Sequence, residues 1–245
     1  DAWATTFGET VTSLELAPEG TGYRAKTRFA KFNNIPELMS MFREVADVQT
    51  SETLKLPVPE AERFIEEVPP TELQTELIIK LGERADAIRN NKVDPSEDNM
   101  LKITNDGRCI ALDPRVYNPT AHHGNKVSAC AENIYKIWCQ SNDKTQIVFC
   151  DLSTPPIGKK SKSNKYCVYD DLKLELVNRG IPADEIQFIQ HHQSATAKEK
   201  LFSNVRLGKV RVIVGSTSMM GTGTNIQTKL VALHHLDCPY RPADI

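Results

Sequence analysis

Residues 210–227 read VRVIVGSTSMMGTGTNIQ, and the fold turns on how that stretch is taken. Val210 to Val214 is short and valine-rich, the mark of a strand buried on both faces. Small hydroxyl residues follow at once, and then Gly221-Thr222-Gly223-Thr224-Asn225. Glycines let backbone amides approach phosphate or ribose oxygens, and hydroxyls and amides bond anions without carrying charge. Taken alone, G-x-G-x-N reads first as a tight turn joining a strand to the next element. The neighbouring segments choose between the two.

Upstream, Val127, Cys130, Ile134 and Ile137 line one helix face, and Gln146 to Cys150 (QIVFC) reads as a buried strand. Asp170 to Arg179 reads as a helix ending at Gly180, a left-handed cap. Ile186 to Ile189 is a second strand. Thr196 and Glu199 form a capping box for a helix that carries Leu201, Phe202 and Val205 and stops near Gly208. Val231 to Leu236 is a fourth strand. Strands alternating with single helices predict βαβ units, hence an α/β domain with a parallel sheet and helices on both faces. Ligands in such sheets bind beyond the carboxyl ends of the strands. Two segments fall there: Phe149-Cys150-Asp151-Leu152-Ser153-Thr154, and Gly215 to Gln227.

The first half is a mixed α+β lead-in. Thr10 to Leu16 alternates as a strand, and Tyr23 to Phe29 returns as its partner across Glu19-Gly20-Thr21-Gly22. Asn34 caps a helix with Pro36 in its first turn and Leu38, Met41, Phe42 and Val45 on one face. Leu56-Pro57-Val58-Pro59 is a stiff extended connector. From Thr71 a longer helix runs with Leu73, Leu77, Leu81, Ala85 and Ile88 at helical spacing. Met100 to Thr104 and Arg108 to Leu112 flank Asn105-Asp106-Gly107 and predict a β-hairpin, because Asp-Gly adopts the positive φ of a tight turn. The expected divisions are residues 1–69, 70–120 and 121–245.

Composition narrows the class. The 245 residues are 40% hydrophobic and 25% charged, as in a globular protein, and no apolar run approaches the roughly 20 residues of a membrane span. A net charge of −2 gives no global attraction to nucleic acid, so such contacts need local patches. Six cysteines stand singly, which predicts reduced thiols in a cytoplasmic protein. The pairs His122-His123, His191-His192 and His234-His235 lack further ligands at metal spacing and read as structural or surface histidines. No metal site is expected. The first residue is Asp1, not Met, which predicts a piece of a longer protein.

The order of these segments resembles the C-terminal half of Swi/Snf-type superfamily-two helicases, across nearly the whole chain. VRVIVGSTSMMGTGTNIQ is similar to that family's motif V, with Ser216, Thr217, Gly221, Gly223 and Asn225 on matching positions. QIVFCDLST resembles motif IV, and Leu236-Asp237-Cys238-Pro239-Tyr240-Arg241-Pro242 resembles the segment before motif VI, with Tyr240 where the family often has Trp. Phe42-Arg43-Glu44-Val45, Leu56-Pro57 and Glu60 resemble the inter-lobe linker. The runs DAWATTFGETVTSLELAPEGTGYRAKTRFAKF and HHLDCPYRPADI are similar to the helicases that phages and conjugative elements carry with adenine-specific DNA methylases.

The resemblance implies a RecA-like three-layer second motor lobe of an ATP-dependent helicase or translocase. Gly221, Thr222, Gly223, Thr224 and Asn225 would border the nucleotide, and Ser153, Thr154, Ser216 and Thr217 would touch DNA phosphates. ATP and Mg are the implied cofactors. Duplex DNA, the missing first RecA-like lobe and a fused or co-encoded methylase are the implied partners; no membrane is. The phosphate-cradling G-x-x-x-x-G-K-[ST] loop is absent from the sequence, and the family's arginine motif would follow Ile245. The resemblance therefore assigns this chain no catalytic residue and no ATP turnover of its own.

Lys159, Lys160, Lys162 and Lys165 stand in one short stretch, Gly158 to Lys165. It reads either as a solvated loop or as a contact to the phosphate backbone. Two rival classes stand beside this one. A methyltransferase needs an Asn/Asp-Pro-Pro-aromatic motif, which Thr154-Pro155-Pro156-Ile157 does not supply. A non-catalytic protein- or DNA-binding module of a methylase or restriction-type protein would use the N-terminal hairpins for contact.

Overall fold

The computed structural model describes residues 2–16, 23–55, 59–90, 92–94, 96–156, 166–221 and 224–239. The chain divides into two units, Asp1–Glu66 and Glu67–Ile245. The stretches 70–120 and 121–245 fall in the same unit.

The first unit holds α1 (Ala2–Phe7), β1 (Gly8–Leu16), β2 (Tyr23–Phe32), α2 (Ile35–Arg43) and α3 (Ser51–Leu54). β1 and β2 pair antiparallel, as their alternation predicts, with a register shift between Glu9 and Thr10. Trp3, Phe7, Phe29 and Phe32 gather at the base, with ring centroids 5.5 to 6.3 Å apart. Gly8 is required there, because a Cβ would stand 2.0 Å from the Phe29 ring. Asn34 begins α2 in the left-handed region (φ 48°) and makes no side-chain cap bond, so its expected capping role fails. Its amide instead donates to Glu37. Phe7 is the buried apolar side chain among those described in this unit.

The second unit opens with α4 (Glu72–Arg89), capped by Thr71 and Gln74, whose side chain and backbone bond each other reciprocally. α5 (Met100–Leu112) follows, where Asp-Gly predicted a hairpin. That expectation is overturned. Asn99 caps the helix at Lys102 N–H, and Ile103 and Ile110 pack with Leu81 and Ala85 of α4. Arg84 then reaches from α4 to Asp98 at 2.7 Å and Asp106 at 2.9 Å, so the would-be turn aspartate becomes a helix-pairing group. Burial of one face outweighs the ~1 kcal/mol cost of a mid-helix glycine. α6 (Pro114–Tyr117) completes this layer.

The remaining elements are α7 (Lys126–Cys139), β3 (Thr145–Phe149), α8 (Val168–Asn178), β4 (Ile186–Phe188), α9 (Ala195–Arg206), β5 (Val212–Gly215), α10 (Thr217–Met220) and β6 (Leu230–His235). The strands form one parallel sheet in the order β4-β5-β3-β6. Strand alternation sorts their side chains onto two cores. Val148, Val212 and Val214 meet Ile134 of α7 and Leu172 and Leu176 of α8. Ile147 and Ile213 meet Leu201 and Val205 of α9 and Met220 of α10. The result is an α/β sheet covered by helices on both faces. Gly180 (φ 105°) ends α8's turn in the left-handed region, as expected. The expected Thr196–Glu199 box is replaced: Ser194, two residues earlier, accepts Ala197 N–H, and Glu199 pairs with Arg206.

The opposite, amino end of the sheet is closed by Arg211, which is buried. It stacks on Trp138 at 4.7 Å and donates to Trp138 O and Lys144 O, while Trp138 Nε1 donates to Glu185. Among the described residues no helix is long and apolar enough to cross a membrane.

Candidate functional site

β3 and β5 are neighbours but not consecutive in the chain. The polypeptide leaves β3 for β4, beyond β5, and leaves β5 for β6, beyond β3. Connections that depart in opposite directions from adjacent strands open a crevice at their carboxyl ends. The segments after β3 and after β5 both start there.

Three carboxyl-end groups tie this edge together. Asp151, just after β3, accepts the Thr217 N–H at the start of α10 at 2.7 Å. Asp237, just after β6, accepts Asp151 N–H at 3.0 Å and Leu152 N–H at 2.9 Å. Arg108 from α5 stands 3.9 Å from Asp237 and donates to Cys238 O at 2.8 Å. Burial pushes the Asp237 carboxyl above the usual range, against the two amides and Arg108 that favour its charge. Asp151 and Asp237 thus aim inward, onto backbone amides.

The structure places part of the expected site. Ser216 is buried at the start of α10, its Oγ 3.0 Å from Ser218 Oγ, and Thr217 beside it is half-buried. Ser153 has a left-handed backbone (φ 53°). Its hydroxyl donates to Tyr166 O and accepts Val168 N–H, which fastens the first turn of α8 to the end of β3. Thr154 is exposed. Gly221 and Asn225 are exposed and Thr224 half-buried, and the Asn225 carbonyl accepts Arg206 Nη1 at 3.0 Å. Thr222, Gly223, Lys159, Lys160, Lys162 and Lys165 lie outside the described residues, as does Tyr240. The fold therefore brings Ser153, Thr154, Ser216 and Thr217 to adjacent strand ends.

Two glycines are explained by packing. At Gly215 a Cβ would lie 2.6 Å from both Ile189 Cγ2 and Met220 Cε, so a larger residue requires those side chains to shift. At Gly221 a Cβ would meet the Thr217 carbonyl at 2.6 Å.

Asp151, Asp237 and Arg108 were missed by motif reading. The aspartates carried a signal: each follows the apolar end of a strand, Phe149-Cys150-Asp151 and His235-Leu236-Asp237, with Phe149 and His235 in register. Arg108 carried none, because its partner Cys238 is 130 residues away. A second cluster stiffens the same region. Arg115 bonds Asp113, Asp171 and Tyr166, and Tyr166 donates to Asp171 at 2.7 Å. Burial opposes ionisation of Asp113, but Arg115 and the Arg115 and Gly124 amides hold its carboxyl below the ordinary range.

Exposed Asn225 and half-buried Thr224 can offer polar groups to a ribose or phosphate. Among the described residues no group of three or more His, Cys, Asp or Glu could hold a metal ion. The class that the fold defines is an α/β protein with a four-stranded parallel sheet. In the comparisons no family model, no curated protein and no solved structure matches the chain.

Proposed function

We propose that this chain is the RecA-like second motor lobe of an ATP-dependent, Swi/Snf-type DNA helicase or translocase. It supplies one wall of the nucleotide cleft and a set of contacts to the DNA backbone. The observation that carries this reading is the junction of β3 and β5. The hydroxyl-bearing segments Ser153-Thr154 and Ser216-Thr217 start from neighbouring strand ends, joined by the Asp151–Thr217 bond at 2.7 Å. Exposed Thr154 and half-buried Thr217 carry hydroxyls that suit phosphate oxygens, which fix position without reading sequence. Gly221, Thr224 and Asn225 follow α10 in the chain and border the nucleotide in this reading. A Mg²⁺ ion and its acidic ligands belong, in this reading, to the first lobe.

The test is binding of the 245-residue chain to a fluorescein-labelled duplex oligonucleotide, followed by anisotropy at low salt. Thr217→Asp and Thr154→Asp place a negative charge where a phosphate would lie. Each should weaken binding at least about tenfold, on the order of 1.4 kcal/mol. Unchanged affinity in both would end the proposal.

A non-catalytic protein- or DNA-binding module of a methylase or restriction-type protein is the second reading. What favours it is the first unit, where Leu14, Tyr23, Phe42 and Val45 are exposed. Apolar surface of that kind is characteristic of an interaction site.

A further inference from the structure

The β1–β2 ribbon has two unlike faces. The register sets Arg24, Lys26 and Arg28 opposite Glu15, Ser13 and Val11 on one face, and Ala25, Thr27 and Phe29 opposite Leu14, Thr12 and Thr10 on the other. Every residue of β2 is exposed. A two-stranded ribbon with both faces open is marginal in water, and like charges repeated along one strand disfavour it further. Three cations at alternate positions therefore need an explanation beyond the fold.

Among the β1 residues opposite Arg24, Lys26 and Arg28 the carboxylate is Glu15, and it serves two of the cations; Glu9, farther along β1 on the same alternation, is in register with Lys31 beyond the register shift. Arg24 Nε donates to Glu15 at 2.9 Å, and Arg28 Nη2 stands 2.7 Å from its other oxygen. Lys26, between the two arginines, faces the Ser13 hydroxyl residue. Over the stretch where Arg24, Lys26 and Arg28 oppose Glu15, Ser13 and Val11 the face keeps an excess of two positive charges, three cations against Glu15. Alternate residues of a strand are roughly 6.8 Å apart, close to the separation of successive phosphates along a nucleic-acid strand. A single anion would use one of these cations; a polyanion of regular pitch uses all three. A two-stranded ribbon is also narrow enough to follow a groove of duplex DNA.

We infer that the β1–β2 ribbon is a second nucleic-acid contact, laying Arg24, Lys26 and Arg28 along a phosphate backbone. The inference rests on the proposal that the chain handles DNA, and it adds a site to the one at the sheet edge. Glu15 is then a built-in brake: it orients both guanidinium groups while lowering the charge they present.

The experiment titrates the full chain with labelled duplex DNA over a range of salt. Neutralising phosphates releases counterions, and each contact contributes about 0.9 to the slope of log affinity against log salt. Arg24→Gln, Lys26→Gln and Arg28→Gln combined should lower that slope by about 2 to 3. Lys26→Gln alone, which disturbs neither Glu15 pair, should lower it by about 0.9. Glu15→Gln should tighten binding and steepen the slope, because it frees both arginines. A merely structural Glu15 gives the opposite sign, since loosening the ribbon weakens whatever it binds.

An unchanged slope in the triple variant overturns the inference, as does weaker binding in Glu15→Gln. So does a triple variant that loses polyglutamate and keeps DNA, which would assign the face to an acidic protein. If Thr217→Asp weakens DNA binding while the ribbon variants do not, the ribbon contact alone falls. If the unaltered chain binds no DNA, both readings fall together.

Discussion

Asp151 accepts the backbone N–H of Thr217 at 2.7 Å, joining the end of β3 to the turn that follows β5. The two residues are 66 positions apart. Asp237 in turn holds the Asp151 and Leu152 amides, so the ends of β3, β5 and β6 share one chain of acceptors. These bonds hold the backbone at the three strand ends in one arrangement.

Removing the Asp151 acceptor should loosen that edge. Asp151→Ala leaves the Thr217 amide without its partner, which costs about 1 to 3 kcal/mol when the donor is partly buried. Asp151→Asn keeps an acceptor oxygen and should cost less. Urea unfolding with an unchanged m-value checks both. Equal stability of the alanine variant and the parent would mean that the bond contributes nothing.

Gly107 tests the helix that replaced the expected hairpin. A Cβ there meets only Leu81 Cδ1, at an ordinary 3.5 Å. Gly107→Ala should therefore stabilise α5 by about 0.5 to 1 kcal/mol, through helix propensity and a less flexible unfolded chain. In an Asp-Gly turn with positive φ the same change would destabilise. The sign of the shift in thermal midpoint decides.

His234 makes stability depend on pH. Burial, with the charge of adjacent His235 second, pulls its pKa down to about 4, and its Nε2 lies 2.9 Å from Gln146 Oε1. That oxygen can only accept, so the neutral ring carries its proton on Nε2. In the unfolded chain imidazole titrates near 6.5. Below that pH the unfolded state takes up a proton that the folded state refuses. This contribution to stability is complete above about 6.5 and is lost as the pH falls toward 4, on the order of 3 kcal/mol in all. Chemical unfolding of the parent and of His234→Asn at pH 7 and pH 4.5 checks it. An identical pH dependence in the two proteins would contradict the assignment.

ATP turnover should be absent from the isolated chain. The sequence holds no G-x-x-x-x-G-K-[ST] loop, and the carboxylates at the sheet edge are engaged with backbone amides rather than open to Mg²⁺. A coupled phosphate-release assay with and without duplex DNA should show no signal above buffer. DNA-stimulated hydrolysis would overturn the division of labour between two lobes.

Much of this was legible in the residues. The alternation of short Val/Ile runs with single amphipathic helices defined a parallel α/β sheet, because a strand buried on both faces needs apolar side chains throughout. The hairpin of Thr10–Leu16 with Tyr23–Phe29 was legible for the opposite reason: period-two alternation marks one pair of faces. Local signals failed where a distant group intervened. Asn105-Asp106-Gly107 favours a turn, but Arg84 on α4 claims Asp106 and the Leu81–Ala85 face claims Ile103 and Ile110. Thr196 and Glu199 had the spacing of a cap, yet Ser194 reached the helix start first.

What the sequence determined by itself is the periodicity of each element and the small hydroxyl and glycine content of the loops beyond β3 and β5. These depend on neighbours a few residues apart. The tertiary structure alone decided the strand order β4-β5-β3-β6, the pairing of Asp151 with Thr217, and the approach of Arg108 to Asp237. Such contacts join groups tens of residues apart in the chain. They form only once hydrophobic burial has offset the entropy of closing the loops between them, and no local pattern of residues encodes that balance.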